Sequence, residues 1–238
     1  MMKVLGLINA RAGSKTVKNK NIKKLGNYPL IAWTIKTALK SKRLSDVVVS
    51  TDSKRISQIA INYGAKIPFM RPKSLAGDNS KQFETIYYVI NKLIEKGNTY
   101  DAVALLQPTF PLRQVIDIDN GIKLMKKSNA DTIISVTECN PNLPYTLYKR
   151  DKFSKVKALK KIPLNGTNRQ SLPHLYARVG CIYLIKTSTI LKSKSIYGKN
   201  VKSILIPEER SFDIDTKHDW NLLEAWIYKH KLERKIFL

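Results

Sequence analysis

Short apolar runs alternate with amphipathic stretches along most of this chain. Each run is nearly continuous in apolar residues and is bounded by polar or turn-forming residues, which is typical of strands buried on both faces of a sheet. The run KVLGLIN near the amino terminus is the clearest example. On this pattern we predict strands at 3–9, 46–50, 65–69, 101–107, 131–138, 180–186 and 201–206.

The stretches between these strands carry apolar residues at the three- and four-residue spacing of one helix face. Pro29 would lie in the first turn of the first helix, where its missing N–H costs no hydrogen bond, and Gly64 would end the second. Strands and helices in alternation imply an α/β fold, with a mostly parallel sheet flanked by helices. We predict the helices at 29–41, 56–64, 83–94, 115–125 and 217–230.

Residues 139–176 break this alternation. The segment contains four prolines and short β-like pieces such as PYTLYK and KFSKVKAL, without a regular strand–helix unit. No internal repeat or low-complexity linker divides the sequence. We therefore predict a single domain over residues 1–238, with an excursion at 139–176 after which the regular order returns.

Composition predicts a folded protein without export signals. Hydrophobic residues make up 43% of the 238 residues, enough for a core of ordinary size. Cys139 and Cys181 are too few for a disulfide framework and lack the spacing of a zinc site. The amino-terminal apolar run is shorter than that of a signal peptide, and no stretch approaches the ~20 apolar residues of a membrane span. We expect a soluble, cytoplasmic protein without membrane association.

The formal net charge of +25 is large and admits several partners. Nucleic acid, an anionic surface and anionic small substrates would each suit a basic protein. The lysines are scattered over nearly every segment, and no arginine-rich or aromatic-interleaved block appears. This distribution favours a biased composition with anionic small substrates, and it leaves a basic nucleic-acid-binding protein as the alternative from another class.

Polar signals follow four of the predicted strands. In an open α/β sheet, ligands bind beyond the carboxyl ends of the strands, so these segments are the candidates for chemistry. They are ARAGSKTVKNKN at 10–21, STD at 50–52, QPTFPLR at 107–113 and SFDIDT at 211–216.

The first of these loops lacks both common nucleotide fingerprints. Neither GxxxxGK[ST] nor GxGxxG is present, which argues against a P-loop enzyme and a dinucleotide-binding dehydrogenase. Arg11, Lys15 and Lys20, together with backbone amides, could still hold a polyphosphate. On charge alone, a solvated basic loop is an equally good interpretation.

Asp213 and Asp215 form the second candidate. In an extended segment, residues i and i+2 point to the same side, so the two carboxylates would project together and repel each other. Mg²⁺ suits such a pair, because it is held by one or two carboxylates plus substrate phosphates. Alternatively, both only flank the last helix, with Thr216 as its N-cap and Asp219 three residues on.

The turn QPTFPLR is a weaker signal. Its two prolines fix a rigid turn that would hold Gln107 and Thr109 at the edge of the sheet. Proline-rich turns often do no more than reverse the chain.

Six short motifs follow one another between residues 4 and 219, about nine-tenths of the chain. In sequence and order they resemble the motifs of the acylneuraminate cytidylyltransferase family, also called CMP-sialic acid synthetases. Six motifs in register are far more specific than any one of them. They are ARAGSKTVKNKN (10–21), STD (50–52), FMRP with LAGDNS (69–80), LQPTFPLR (106–113), RQSLPHLY (169–176) and PEERSFDIDTKHD (207–219).

The resemblance implies a Rossmann-like nucleotidyltransferase fold and a reaction. CMP would pass from CTP to the anomeric hydroxyl of a nine-carbon 2-keto sugar acid, with Mg²⁺ or Mn²⁺ as cofactor and release of pyrophosphate. It also implies a homodimer, with 139–176 as the dimerisation segment. None of the three histidines, His174, His218 and His230, is one of the residues that define a motif. We therefore expect metal- or water-assisted deprotonation of the acceptor.

The resemblance also implies roles for single residues. CTP would be bound by Arg11, Ser14, Lys15, Lys20, Asn21, Arg71 and Ser80, and the sugar acid by Gln107, Thr109, Arg169, Gln170 and Arg178. Asp213 and Asp215 would hold the metal. The residues expected to act in catalysis are Arg11, Lys15, Lys20, Asp213 and Asp215.

The chain departs from the family pattern near the expected acceptor site. Phe110 replaces a serine, which would make that corner more apolar, and Arg178 stands between Ala177 and Val179, where the family often has arginine and asparagine. Thr16 replaces a glycine in the first loop. Legionaminic or pseudaminic acid, which have fewer hydroxyls, would fit a more apolar pocket than N-acetylneuraminate.

Three alternatives remain beside this interpretation. Another sugar nucleotidyltransferase, such as a CMP-Kdo synthetase, is the nearest, although RQSLP and DIDT argue against Kdo. A family member without activity would explain Thr16 and Ala177. The nucleic-acid-binding protein is the third.

Overall fold

The structure, a computed structural model, describes residues 2–140, 143–160 and 173–237. Its strands are β1 (Val4–Asn9), β2 (Lys24–Leu25), β3 (Tyr28–Pro29), β4 (Asp46–Ser50), β5 (Ala102–Leu105), β6 (Thr132–Cys139), β7 (Tyr148–Arg150), β8 (Val156–Ala158), β9 (Leu175–Lys186) and β10 (Val201–Leu205). Its helices are α1 (Leu30–Leu39), α2 (Lys54–Asn62), α3 (Gln82–Glu95), α4 (Val115–Ser128), α5 (Leu143–Thr146), α6 (Thr187–Ser193), α7 (Lys217–His230) and α8 (Leu232–Phe237).

A six-stranded sheet with the order β10-β6-β9-β5-β1-β4 forms the centre of the fold. β1 pairs in parallel with both β4 and β5, and β10 pairs in parallel with β6. β9 is the exception, because it runs antiparallel to its two neighbours, β5 and β6. The predicted α/β class with a mostly parallel sheet is confirmed.

Two apolar layers cover the sheet, as the continuous apolar strands predict. Ile8 of β1 packs with Ile31 of α1 on one face, in a cluster that also holds residues of α2 and α4. Leu7 of β1 packs with Ile86 of α3 on the other face, where α6 contributes Ile190. Both faces of the sheet are therefore buried, which leaves the strand ends as the place for ligands.

A third cluster covers the outer side of α1. Trp33 of α1 packs there with Trp220 and Ile227 of α7, and the cluster includes Val17 of the first loop and Ile214 of the DID motif. Burial of these two apolar residues in one cluster brings two segments together that are almost 200 residues apart in sequence. The packing of α1 thus positions two of the candidate motifs.

The predicted strand at 65–69 is wrong. Only Lys66 bridges to the sheet, through hydrogen bonds with the backbones of Val47 and Val49. Pro68 has no N–H to donate to a ladder, so pairing cannot continue along this segment. The patterns also gave no signal for α6, α8 or the small β2–β3 pair.

The strand predicted at 180–186 begins earlier than predicted, close to the end of the excursion at 139–176. β9 begins at Leu175, and its first residues pair with the end of β6, for example Arg178 with Val136. Within the described part of the segment, β7 and β8 form an antiparallel hairpin. No helix in the described part of the chain is both long and apolar enough to cross a membrane.

Candidate active site

A cleft of about 380 Å³ opens at the carboxyl ends of β1 and β5. Its walls come from the loop after β1, from the loop before α3 and from the turn after β5. Eight of the residues predicted to bind substrates line it: Arg11, Ser14, Lys20, Asn21, Arg71, Ser80, Gln107 and Thr109. One cavity therefore unites three of the motifs.

The loop after β1 is held in place by its own backbone and by the STD motif. The amide of Ala12 donates to Asp52 Oδ1 at 3.0 Å, and Asn21 Nδ2 donates to the carbonyl of Arg11 at 3.0 Å. Asn19 adopts the left-handed conformation, with φ of 55°, which turns the chain back toward Lys20. Asp52 thus fixes the loop, a role that its sequence position alone did not indicate.

Two cations of this loop face a carboxylate across the cleft. Arg11 Nη1 lies 3.0 Å from Asp78 Oδ1, and Lys15 Nζ lies 2.6 Å from Asp78 Oδ2. The hydrogen bond from Lys15, supported by Arg11, lowers the pKa of Asp78. Lys15 does not line the cleft itself, and Asp78, which does, was missed from the sequence. An anion entering the cleft would compete with Asp78 for both cations.

Lys20 connects the first loop with the DID motif. Its Nζ donates to the carbonyl of Ile214 at 2.6 Å and lies 3.8 Å from Asp215 Oδ1. The side chain is mostly buried, so this ammonium group is held in one place between the two segments. Val17 and Ile214 pack into the same apolar cluster beneath it.

Asp213 and Asp215 lie on the accessible side of their segment, while Phe212 and Ile214 turn toward the protein. The predicted arrangement is confirmed, although the segment is extended chain and not a strand of the sheet. The Ile214 amide donates to the carbonyl of Thr109 at 3.0 Å, which joins this segment to the turn after β5.

The environment of Asp213 disfavours its charge. The pKa of this carboxyl is raised to about 6, chiefly by desolvation and also by the neighbouring Asp215, while a hydrogen bond from Thr109 and the charge of Lys20 oppose the rise. Two carboxylates in one place with a single nearby ammonium group suit a divalent cation. Within the described residues, no group of three or more His, Cys, Asp or Glu side chains is placed to hold a metal. A cation here would therefore depend on two protein carboxylates.

The helix cap proposed as the alternative role for this segment also forms. Thr216 Oγ1 accepts from the amide of Asp219, and Asp219 Oδ2 accepts from the amides of Thr216 and Asp215. The cap uses Thr216 and Asp219, so the side chains of Asp213 and Asp215 remain available. The two interpretations are compatible.

Arg71 presents buried donors beside the cleft. The residue is 6% exposed, and its amide donates to the carbonyl of Thr51. Its Nε and Nη2 have no hydrogen-bond partner among the described residues, and Asp52 lies 3.8 Å from Nη2. Burial lowers the pKa of Arg71, and Asp52 partly offsets this. Unpaired buried donors on a cavity wall indicate a position where a ligand supplies the acceptors.

Asn9 is a further cleft residue that the sequence did not single out. It ends β1, and its Oδ1 is buried without a hydrogen-bond partner within the described part of the chain. It lines the same cleft as Gln107 and Arg71. The only signal that could have identified it is a polar residue at the last position of a buried apolar strand.

Arg113 supports the turn after β5 from behind. Its guanidinium donates to the carbonyls of Cys181 at 2.7 Å and Gln107 at 2.8 Å, and to Thr34 Oγ1 at 3.2 Å. Burial lowers the pKa of this arginine. Phe110 is also buried, at 1% exposure, so its ring packs behind the wall of the cleft and the prediction that it makes a corner of the pocket more apolar is wrong.

Arg178, one of the predicted acceptor residues, does not line the cleft. Arg178 is exposed on β9, where it bonds the Tyr197 hydroxyl and lies over the rings of Tyr197 and Tyr183 at 5.8 and 6.0 Å. The charge of Asp213 acts on Tyr183, whose ring Arg178 covers. Arg178 is therefore in the neighbourhood of the DID motif, but it is outside the cleft lining. Arg169 and Gln170 lie outside the described residues.

The fold and the cleft together define the class of protein, an α/β nucleotidyltransferase. A mostly parallel sheet carries a cationic loop, buried arginine donors and paired carboxylates at its carboxyl edge. Among solved structures the chain is similar to a CMP:2-keto-3-deoxy-manno-octonic acid synthetase complexed with CTP, with a TM-score of 0.74 over 96% of this chain and 99% of that one. The two sequences are 16% identical, so this similarity shows the fold.

Sequence comparison gives the family. The family model described as cytidylyltransferase matches residues 5–233, and the chain belongs to this family. It is 33% identical to the CMP-N,N'-diacetyllegionaminic acid synthase of Legionella pneumophila, over 94% of this chain and 95% of the relative. It is 32% identical to the N-acylneuraminate cytidylyltransferase of Escherichia coli, over 99% of this chain and 54% of that protein. The resemblance drawn from the motifs is confirmed.

Proposed function

We propose that this chain transfers CMP from CTP to the anomeric hydroxyl of a nine-carbon 2-keto sugar acid of the sialic acid type. The observation that carries the proposal is the single cleft, which brings the cationic first loop, the unpaired donors of Arg71 and the turn with Gln107 together. The acceptor oxygen forms a bond to the α-phosphorus of CTP, the bond to the bridging oxygen breaks, and pyrophosphate leaves. Membership of the cytidylyltransferase family favours this reaction over nucleic-acid binding.

CTP is assigned to the wall formed by the first loop and Arg71. Arg11, Lys15 and Lys20 supply positive charge for the triphosphate, and the side chains of Ser14 and Asn21 are on the same wall. Arg71 and Ser80 would contact the cytosine and ribose. Nε and Nη2 of Arg71 have no hydrogen-bond partner among the described residues and could donate to the nucleotide. Attack at the α-phosphate develops negative charge, which fixed cations stabilise.

Asp213 and Asp215 are proposed to bind Mg²⁺ or Mn²⁺. Hard oxygen ligands, mutual repulsion and the raised pKa of Asp213 fit a divalent cation, with substrate phosphates and water completing its coordination. When bound, the ion would neutralise charge on the transferring phosphoryl group. Thr109 and Lys20, which line the cleft, contact Asp213 and Asp215 respectively, and neither carboxylate is itself part of the cleft lining.

The sugar acid is assigned to the turn after β5 and to β9. Gln107 and Thr109 line the cleft, and Arg178 projects from β9 in the neighbourhood of Asp213. None of the three histidines lines the cleft within the described residues, and all three are exposed. The acceptor hydroxyl is therefore proposed to lose its proton with the assistance of water or the metal.

The acceptor is proposed to be legionaminic or pseudaminic acid in preference to N-acetylneuraminate. The relative named CMP-N,N'-diacetyllegionaminic acid synthase, which aligns along almost the whole chain, supports this choice. So does the stretch Ala177–Val179, in which apolar residues flank Arg178 where the family pattern is more polar.

Release of pyrophosphate tests the proposed reaction. Purified protein is incubated with Mg²⁺ and CTP, and with N,N'-diacetyllegionaminic, pseudaminic, N-acetylneuraminic or Kdo acid in turn. When CTP is replaced by each of the other three nucleoside triphosphates, we expect no release of pyrophosphate. Among the acids, we expect N,N'-diacetyllegionaminic or pseudaminic acid to give the fastest release. Equal or faster turnover of N-acetylneuraminic acid would overturn the acceptor choice, and no turnover with any nine-carbon acid would overturn the function.

A homodimer is proposed through the β7–β8 hairpin. The hairpin exposes several large apolar side chains, among them Phe153, which is 78% exposed, and Leu147, Tyr148, Val156 and Leu159. Contiguous exposed apolar side chains of this kind mark an interaction surface. A second copy of the chain is the proposed occupant, in line with the dimerisation segment predicted from the sequence.

A further inference from the structure

β9 carries a wide bulge next to the turn that holds Gln107. On β6 the register advances by one residue, from Ile134 to Ser135, while on β9 it moves from Tyr183 to Val179. Gly180, Cys181 and Ile182 therefore have no partner in the β6 ladder. Extra residues of this kind bend a strand and redirect what it carries, and they are common beside active sites.

The hydroxyl of Ser135 closes this bulge. Ser135 is fully buried, and its Oγ accepts from the amide of Ile182 at 2.9 Å. The same hydroxyl has the carbonyls of Val179 and Ile182 at 2.7 and 3.1 Å as acceptors for its proton. One side chain thus bonds backbone groups at both ends of the bulge, including those of Ile182, which has no partner in the β6 ladder.

The bulge contacts Gln107 at two places. A Cβ atom on Gly180 would lie 2.1 Å from Gln107 Oε1 and 2.7 Å from the Phe110 ring, so the absence of a side chain there makes room for the Gln107 amide. The carbonyl of Cys181 accepts from Arg113, whose Nη2 donates to the carbonyl of Gln107. Both the side chain and the backbone of Gln107 are therefore located by this part of β9.

We propose that Ser135 and Gly180 are positioning residues, which act through the β9 bulge to hold the Gln107 amide against the acceptor sugar acid. This inference rests on the proposed function, in which Gln107 contacts that acid. It predicts a selective defect, because the wall assigned to CTP is built from the loops after β1 and before α3, whereas the atoms nearest a Cβ on Gly180 belong to Gln107 and Phe110.

The variant Ser135→Ala tests the role of the hydroxyl. KM is measured for the acceptor at saturating CTP and for CTP at saturating acceptor, with N,N'-diacetyllegionaminic acid or the nine-carbon acid that the wild type turns over best. We expect KM for the acid to rise about tenfold and KM for CTP to stay within about twofold. Thr132→Val is the matched control, since Thr132 also carries a buried hydroxyl on β6 but bonds the segment near Ile196 and Gly198.

A second variant tests the space over Gly180 without removing a buried hydrogen bond. Gly180→Ala should displace the Gln107 amide by about 1 Å or more in a crystal structure and raise KM for the acid at least as much as Ser135→Ala. Gly121→Ala is its control, because a Cβ there meets nothing nearer than 3.9 Å.

The kinetic measurements distinguish a failure of the proposed function from a failure of the positioning role of Ser135 and Gly180. Absence of wild-type turnover with every nine-carbon acid would overturn the proposed function and this inference with it. With wild-type turnover present, equal changes in both KM values, or a loss of thermal stability alone as in Thr132→Val, would overturn the positioning role only. An unmoved Gln107 in the Gly180→Ala crystal structure would do the same.

Discussion

Arg113 is a buried cation whose contacts are backbone carbonyls and a hydroxyl. Its three hydrogen bonds connect β9, α1 and the turn after β5. Arg113→Lys keeps the charge but loses the planar fork, so some of these acceptors would be left unpaired. We expect urea denaturation to show a loss of about 3 kcal/mol in the free energy of unfolding. The exposed Arg43→Lys is the control, and an equally small loss in both variants would contradict the role of Arg113.

Asp78 pairs with two cations, Arg11 and Lys15, that are proposed to bind the triphosphate. Asp78→Asn removes the carboxylate that pairs with Arg11 and Lys15, so both become available to the triphosphate. We expect KM for CTP to fall about two- to fivefold, the scale of an exposed ion pair. Glu95→Gln, which removes an exposed carboxylate paired with Lys92 on α3, is the control. A rise in KM for CTP would instead show that Asp78 contacts the nucleotide favourably.

Asp213, the proposed metal ligand, carries a cost to stability because its pKa is raised. Because its pKa is raised to about 6, the folded protein favours the protonated acid, and this contribution to stability is lost as the pH rises from about 4 through 6. Asp213→Asn should therefore abolish turnover and, with a chelator present, raise the melting temperature at pH 8 more than at pH 4.5. An equal shift at both pH values would argue against a raised pKa.

The titration of Asp213 should also appear in the pH dependence of turnover. Below about pH 6 the Asp213 carboxyl takes up a proton and competes with the metal for the same oxygen, so activity should fall on the acid side. Raising the Mg²⁺ concentration should move this limb to lower pH. A limb that does not move with Mg²⁺ would contradict the metal assignment of Asp213.

The sequence predicted most of the site at residue level, because motifs after strands converge on one edge of a parallel sheet. Arg11, Lys20, Gln107 and Thr109 were placed together in this way. Asp78 and Asn9 were missed, since each acts through neighbours that are distant in sequence. Burial of Phe110 was missed for the same reason, because only the fold shows that its side chain points behind the cleft.

At the level of elements, the sequence predicted strands and helices with strong periodicity but not their direction. β9 looks like any other buried strand, and its antiparallel course follows from the excursion between β6 and β9, which returns the chain to the same end of the sheet. The helix α8 gave no periodic signal because it is short. Its position depends on tertiary contacts, such as the stacking of Phe237 on Tyr28 at 3.5 Å.

Docking of α8 depends on the turn between β2 and β3. Gly26 has φ of +62°, and a Cβ there would lie 1.8 Å from Glu233 Oε1, which accepts from the Asn27 amide. Gly26→Ala should lower the free energy of unfolding by more than the ~1 kcal/mol expected from backbone strain alone. Gly97→Ala, with φ of +78° and open space around its Cβ, measures that strain by itself. Equal losses in the two variants would show that α8 docking does not depend on this turn.

For the whole molecule, assembly is the main open prediction. Phe153→Asp with Val156→Asp places charge on the β7–β8 hairpin and should convert a dimer into a monomer in analytical ultracentrifugation. Tyr228→Asp is the control, since Tyr228 is 87% exposed and belongs to α7 and not to the hairpin. A wild-type monomer, or dissociation by the Tyr228 substitution, would contradict the proposed interface.

The antiparallel course of β9 also has a consequence for diversification within the family. β9 separates the parallel strands β4, β1 and β5 from the pair β6 and β10. The residues proposed for the nucleotide, and Gln107 and Thr109, follow the strands on one side of β9, whereas Arg178, which is also proposed for the acceptor, lies on β9 itself. The stretch from β6 to β9 is continuous in sequence and contains the hairpin as well as Arg178. A chimera in which the stretch from β6 to β9 comes from a relative should therefore show the relative's acceptor preference and still use the same nucleotide as this chain.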